Sequence, residues 1–224
     1  KEQQYIDDFL RLVNSDGSAY AVVVGPRLGR TVSKEQYLFF YDTRRIALVE
    51  GSVFTADDPQ DMLHREPLLA RFRSLLDPAA PFTFTLCNVH TDPDEVDWEL
   101  DALAAMIRQI AGQLGEDDLI LLGDFNASET RLGTLGSLPG VVSVVQGVPT
   151  NTRGTETYDH LLFDTRTTVE YRGQWGVVNL ANEYGLTQEE ALEVSDHLPV
   201  WAAFNPREGA GGIIAARPEA ESPH

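Results

Sequence analysis

The sequence predicts an α+β protein in which strands pair as hairpins and helices lie outside them, a two-layer or sandwich arrangement. Two observations carry this. Strand candidates adjoin without an intervening helix, at 36–41 and 46–49 and again at 68–72 and 82–89. The strongest helical patterns, at 1–14 and 94–114, stand apart from them. A doubly wound parallel sheet would alternate strand and helix in regular order.

Each element follows from its residues. Residues 1–14 place Tyr5, Ile6, Phe9, Leu10 and Val13 at helical spacing, and Asn14-Ser15-Asp16-Gly17 supplies a stop and a turn. An apolar strand is expected over 20–24, then a loop at Gly25-Pro26-Arg27-Leu28-Gly29-Arg30, where breakers and two cations gather. The segment 36–41 is a strand rich in aromatics, 46–49 another, and Asp57-Asp58-Pro59-Gln60-Asp61 an acidic loop. In 82–89, Phe82, Phe84 and Leu86 alternate with Thr83, Thr85 and Cys87, the period of a half-buried strand that pairs with 68–72. Residues 94–114 make the best helix: Leu100, Leu103, Ile107, Ile110 and Leu114 form one stripe, and acids crowd the first turn. A short buried strand follows at 119–122. The Gly-rich stretch 133–147 is ambiguous. Strands at 160–163 and 198–204 and a short helix at 188–194 complete the set. Prolines and glycines from Asn205 onward mark a tail, so the chain divides into a domain at 1–205 and a disordered segment at 206–224.

Composition narrows the function. The 224 residues suit one domain, and 42% hydrophobic residues give it a real core. No run of apolar residues is long enough to span a bilayer. Cys87, the single cysteine, excludes an intramolecular disulfide and reads as a small buried hydrophobe rather than a nucleophile. This suits a soluble protein, secreted or cytoplasmic. The net charge of −18 argues against a broad basic face for nucleic acid. It leaves room for a carboxylate-lined cleft whose divalent cations also screen substrate phosphates, with binding that is weak and salt-sensitive.

Two motifs carry chemistry. Leu121-Leu122-Gly123-Asp124-Phe125-Asn126-Ala127 ends an apolar run with a carboxylate and a carboxamide on one face of an extended segment. Ser195-Asp196-His197-Leu198-Pro199-Val200 sets a metal-ligand type beside a general-base type. Taken singly, the first is also an Asx turn after a strand and the second a helix-capping pair. The combination is what signifies. Glu35, His90, Asp124 and Asp159 each sit at a strand end, and Asp196-His197 precedes the last strand. Strand ends that point one way are where ligand sites gather.

With Gly123-Asp124-Phe125-Asn126 and Ser195-Asp196-His197-Leu198-Pro199-Val200 in place, the chain resembles the endonuclease/exonuclease/phosphatase superfamily. Its resemblance to the deoxyribonuclease I branch rests on Gly29-Arg30-Thr31-Val32-Ser33-Lys34-Glu35-Gln36-Tyr37-Leu38-Phe39, on Arg65-Glu66-Pro67, on Tyr158-Asp159 and on Tyr184-Gly185-Leu186. The resemblance runs from Lys1 to about Phe204. It implies a four-layer sandwich, two packed β-sheets flanked by helices, and Mg²⁺- or Mn²⁺-dependent phosphodiester hydrolysis by a monomer acting on DNA, with Ca²⁺ as a structural ion in some members. Carried over by position, His197 is the general base and Asp159 orients it. His90 is the general acid, with Glu35 as its partner. Asp124 and Asp196 hold metal or nucleophile, Asn126 positions phosphate, and Arg65 and Arg30 contact substrate. A threonine of the 150–157 loop, Thr150, Thr152 or Thr155, is expected to bind phosphate.

Two departures bear on this. The family opens with a strand, a helix and a strand that ends in the principal glutamate ligand. Lys1 here falls within the following helix, so two strands of a sheet and that ligand are expected upstream. The family's minor-groove tyrosine is replaced by Ser33, which leaves Arg30 as the residue to enter a groove. Small-molecule or lipid phosphoesters, or an inactive relative that only binds, are the alternative readings.

Overall fold

The structure, a computed structural model, describes residues 2–32, 34–113 and 117–211. Its centre is a sheet of seven strands in the order β3-β5-β6-β7-β9-β8, with β4 also on β5. These are β3 (Ile46–Leu48), β4 (Phe54–Thr55), β5 (Leu68–Ser74), β6 (Thr83–His90), β7 (Leu119–Asp124), β8 (Val141–Ser143) and β9 (Asp159–Asp164). All neighbours pair antiparallel except β6 and β7, which run parallel and are joined by α2 (Val96–Ala111). A parallel pair needs such a crossover, because a hairpin cannot return the chain in the same direction.

One face of the sheet is covered by helices. Leu100, Leu103, Ile107 and Ile110 of α2 lie with Leu69, Cys87, Val89, Leu119, Leu121 and Leu162 in one core, joined by Leu135 of the short α3 (Gly133–Gly136). Leu114, the last residue of the predicted stripe, lies outside the described residues. The other face carries a second β layer made of two separate pairs: β1 (Tyr20–Leu28) with β2 (Glu35–Asp42), and β10 (Tyr171–Val177) with β11 (Val200–Phe204). Val23, Tyr37 and Phe39 of the first pair pack on Leu68, Ala70 and Phe72. Tyr171, Trp175, Val200 and Phe204 of the second pack on Ile120 and Phe163. Between the pairs, Phe84, Leu86, Leu122 and Leu161 are only partly buried.

Helices flank this second layer too. Phe9 of α1 (Glu2–Val13) meets Phe40 edge-on at 5.2 Å, and Phe40 points away from the core that its neighbour Phe39 enters. The predicted stripe of α1 is half covered: Ile6, Leu10 and Val13 turn inward while Tyr5 stays 71% exposed. The helices α4 (Leu180–Tyr184) and α5 (Gln188–Val194) close over Val177 and Leu198. Thr187 starts α5 with a capping box, its side chain accepting from Glu190 N while Glu190 accepts from Thr187 N. The layers are therefore helix, sheet, sheet, helix.

Three expectations change. The residues Gly25 to Leu28 are strand, not loop: β1 continues past a bulge between Val24 and Arg27, which takes up Pro26, a residue that cannot donate to a regular ladder. The strand at 82–89 alternates as predicted but buries the opposite face more deeply: Thr85 and Cys87 are 1% and 0% exposed on the side of α2, while Phe84 and Leu86 are only partly buried against the second β layer. The segment 205–211, which composition assigns to the tail, is hydrogen-bonded into the domain: Phe82 N donates to Pro206 O and Glu208 N to Ala80 O, both at 2.9 Å. The remainder, 212–224, lies outside the described residues.

Candidate active site

Sheet register assembles the site. His90, at the end of β6, is the register partner of Asp124 at the end of β7, and Asp124 is the partner of Asp159 at the start of β9. Because β6 and β7 run parallel and β9 opposes them, two strand ends and one strand beginning fall in one row. Gly123 makes this pairing possible. A Cβ there would lie 1.9 Å from Val89 O, and its φ of 136° is open only to glycine. Its function is thus close approach between strands.

Two imidazoles face the row's central carboxylate. His90 Nε2 and His197 Nε2 each stand 3.6 Å from Asp124 Oδ2. Each is held from behind by a carboxylate on its other nitrogen: Glu35 Oε2 at 2.6 Å from His90 Nδ1, and Asp159 Oδ2 at 2.8 Å from His197 Nδ1. A carboxylate on Nδ1 fixes the ring's tautomer and orientation. His197 lies before β11 on a short bridge to Asn151, and Leu198 N donates to Thr150 O at 2.6 Å. Glu35 opens β2, so both β layers contribute to the site.

The electrostatics follow from this packing. Burial works against a charged His197, but its hydrogen bond to Asp159 and the charges of Asp159, Asp124 and Asp196 outweigh it and hold its pKa above the ordinary imidazole value. Burial pushes the Asp124 carboxyl up, against the hydrogen bond from Asn126 N and the nearby imidazoles. That bond, 2.8 Å to Asp124 Oδ1, closes an Asx turn, and Asn126 adopts a left-handed φ of 48°. The Asx turn and the site residue are therefore the same feature. Cys87 is buried away from solvent, its thiol pushed up to about 12 by burial.

The remaining expected residues take different places. Arg65 is buried, its Nε 3.4 Å from Glu35 Oε2 and donating to His90 O at 3.2 Å. It sits beneath the Glu35–His90 pair, where its guanidinium donates to the backbone carbonyls of His90 and Thr91. Arg30 lines an open cleft of about 700 Å³ next to Asn126, together with Trp98 and Arg131. It pairs there with Asp61 and Glu95, each at 3.2 Å. Asp196 is exposed, and its carbonyl accepts from Thr152 N at 2.8 Å. Ser33 lies outside the described residues.

Three further residues support the site from within. Tyr37 hydroxyl accepts from His90 N at 3.0 Å and fixes the end of β6. Glu99, 1% exposed on α2, accepts from Asp92 N at 2.7 Å and from His64 N, which ties two loops around the site. Thr150 is fully buried and its hydroxyl accepts from Tyr158 N and Asp159 N at 2.9 and 3.0 Å. Of the three threonines expected at a phosphate, Thr150 thus supports Asp159 from within. Thr152 donates to Ser195 O at 2.7 Å, and Thr155 is exposed.

Comparison with known proteins places this arrangement. No family model matches the chain. A "Deoxyribonuclease-1-like 1" of Sus scrofa is 33% identical over 197 residues, 83% of this chain and 61% of that protein. The protein of the same name from Cricetulus griseus is 30% identical over 212 residues, 88% of this chain and 68% of that one. The chain belongs to the deoxyribonuclease I-like family. It spans about 60% of the length of the first relatives it matches. Solved structures share the layered fold of this family: an endonuclease/exonuclease/phosphatase family protein from Bacteroides thetaiotaomicron has a TM-score of 0.57 at 18% identity, covering 82% of this chain and 74% of its own. The endonuclease domain of TRAS1, a telomere-specific non-LTR retrotransposon, gives 0.54 at 18% identity, with 84% and 80% covered. A D. rerio TDP2 complexed with a single-strand DNA product gives 0.57 at 15%, with 88% and 82% covered.

Among the described residues, no helix is long and apolar enough to cross a membrane. Among those residues, too, one group of three acidic or imidazole side chains has metal-ligand spacing, Asp118, Glu170 and Glu208, and it is not at this site. Asp124 and Asp196 belong to no such group. Among the described residues, these two carboxylates make a partial donor set for a catalytic metal.

Proposed function

We propose that this chain is the catalytic part of a metal-dependent phosphodiester hydrolase that cuts DNA with little sequence preference. The carrying observation is the pair of imidazoles, each bonded to its own carboxylate and both 3.6 Å from Asp124 Oδ2. One proton acceptor and one proton donor on opposite sides of a phosphorus are what in-line displacement by water requires. His197, neutral and held by Asp159, takes the proton of the attacking water. His90, held by Glu35, gives a proton to the leaving sugar oxygen. Arg65 positions Glu35, and Asn126 donates to a phosphate oxygen at the mouth of the cleft. Its side-chain amide already donates to Thr91 O at 2.8 Å, which fixes its direction.

A bound divalent cation, Mg²⁺ or Mn²⁺, would neutralise charge on the phosphate oxygens. Asp124, at the centre of the row, is the carboxylate that would hold it, with Asp196 beside His197 as the second acidic candidate. The open cleft beside Asn126 supports a polymer rather than a small molecule held in a closed pocket. DNA is the favoured substrate through the named activity of the relatives.

The test is plasmid nicking by the protein with Mg²⁺ and with EDTA, beside His197→Ala. Nicking that needs both metal and His197 supports the reading. A folded, metal-supplied protein that leaves the plasmid intact overturns the DNA assignment. Release of phosphate from a lipid or nucleotide ester in its place would move the substrate class.

A further inference from the structure

At the opposite end of β7 from Asp124, three carboxylates converge. We infer that Asp118, Glu170 and Glu208 hold a hard divalent cation that clamps the far end of the sheet, independently of the catalytic centre. One carboxylate oxygen of each lies within 4.8 Å of the others, and two of the three residues are buried. A calcium-type ion with oxygens at about 2.3–2.6 Å holds ligands up to about 5 Å apart, so the spacing fits. Six residues of strand at about 3.3 Å each put this cluster about 20 Å from the catalytic row.

The second observation is Glu170. It is 0% exposed, and its Oε2 is buried with no hydrogen-bond partner. Its other oxygen accepts from Gly209 N at 2.6 Å, which aims the carboxyl at the segment that carries Glu208. Glu208 Oε2 in turn accepts from Thr83 N at 3.2 Å. An unpartnered carboxylate oxygen among two further carboxylates is costly unless a proton or a cation joins it. Three hard oxygen donors with no sulfur or imidazole suit calcium or magnesium rather than zinc. The cluster also has a mechanical logic. Asp118 precedes β7, Glu170 precedes β10 and Glu208 follows β11. A cation here joins the central sheet to the second β layer and to the chain that leaves it.

The experiment is thermal unfolding of the protein, first stripped with EDTA and then supplied with CaCl₂ or, in a second arm, MgCl₂. The expected result is a rise of about 5–10 °C when free calcium stands about 100-fold above its dissociation constant. Asp124→Asn should keep that rise, since it touches only the catalytic centre. Glu208→Gln, at an exposed position, and Glu170→Gln should each lose it. Glu170→Gln in EDTA should be at least as stable as wild type, because an uncompensated buried charge is gone. No rise with either cation would mean that a shared proton satisfies the cluster, and would overturn the inference. So would a rise abolished by Asp124→Asn and kept by Glu208→Gln.

Discussion

Asp159→Asn is the sharpest test of the proposed chemistry. Asp159 sits in register at the start of β9, and its backbone N–H is held by Thr150 Oγ1 at 3.0 Å, so the substitution leaves the backbone in place. What it removes is the negative partner of His197 Nδ1 at 2.8 Å. A hydrogen bond to a charged group is worth about 1.5–3 kcal/mol. If that stabilisation is felt when His197 takes up the water's proton, the loss is about 10–150-fold at about 1.36 kcal/mol per decade. An asparagine that donates to Nδ1 also stabilises the wrong tautomer and carries the loss toward about 10³-fold. The pH profile adds a second readout. Asp159 is the strongest of the influences that raise His197, so the acid limb of kcat/KM should move to lower pH in the variant while the rate falls. Initial nicking rates across a pH series, with circular dichroism as a folding control, measure both. A rate within about threefold of wild type, or an acid limb that does not move, would refute the assignment of His197 as base.

Other expectations follow from the same geometry. His90→Ala and His197→Ala should each lower nicking by about 10²–10⁴-fold without unfolding the protein, checked by the same assay. Gly123→Ala places a methyl 1.9 Å from Val89 O, one residue from the catalytic end of the parallel β6–β7 pair. It should cost about 3 kcal/mol or more and lower Tm by about 6–12 °C in a calorimetric scan. His160, 0% exposed, lies 2.8 Å from both Ser143 Oγ and Ala127 O, and burial lowers its pKa from 6.5. The unfolded chain therefore binds a proton that the native imidazole refuses, and stability should fall as pH drops below about 6.5. His197 acts with the opposite sign and in a higher window: its raised pKa gives stability that is lost as pH rises through the native value. Urea unfolding at about pH 7 and about pH 5.5, with the His160 ring followed by NMR, checks the first; a ring that titrates near 6.5 would contradict it.

The residues of the site were legible because each ends or begins an apolar strand, and the ends of paired strands fall together. The helix α2 was legible from its periodicity, and the short α5 stands at its expected bounds. What the sequence concealed was of three kinds. The strand β10, Tyr-Arg-Gly-Gln-Trp-Gly-Val, hides behind two glycines, one at a φ of 69° and one packed beneath Trp201, where a Cβ would meet Nε1 at 2.8 Å. Its identity depends on β11, which arrives more than twenty residues later. The acids at the start of α2 read as a complement to the helix dipole. Glu99 is instead turned into the protein to bind two loop amides, and helical spacing alone does not separate these uses. Arg65 and Arg30 were placed by their neighbours in sequence, yet burial beneath Glu35 and pairing with Asp61 and Glu95 are tertiary facts.

The row of His90, Asp124 and Asp159 also makes activity a late reporter of folding. Each member comes from a different strand, and the β6–β7 pairing closes only after the whole of α2 has been looped out. Non-local parallel pairing of this kind is slow. A slip of one residue in either pairing would send the members to opposite sides of the sheet. A collapsed chain with its helices formed can therefore look native by far-ultraviolet absorption and still be inert. During refolding from urea, nicking activity should return with the slowest phase, after helical signal and core fluorescence have recovered.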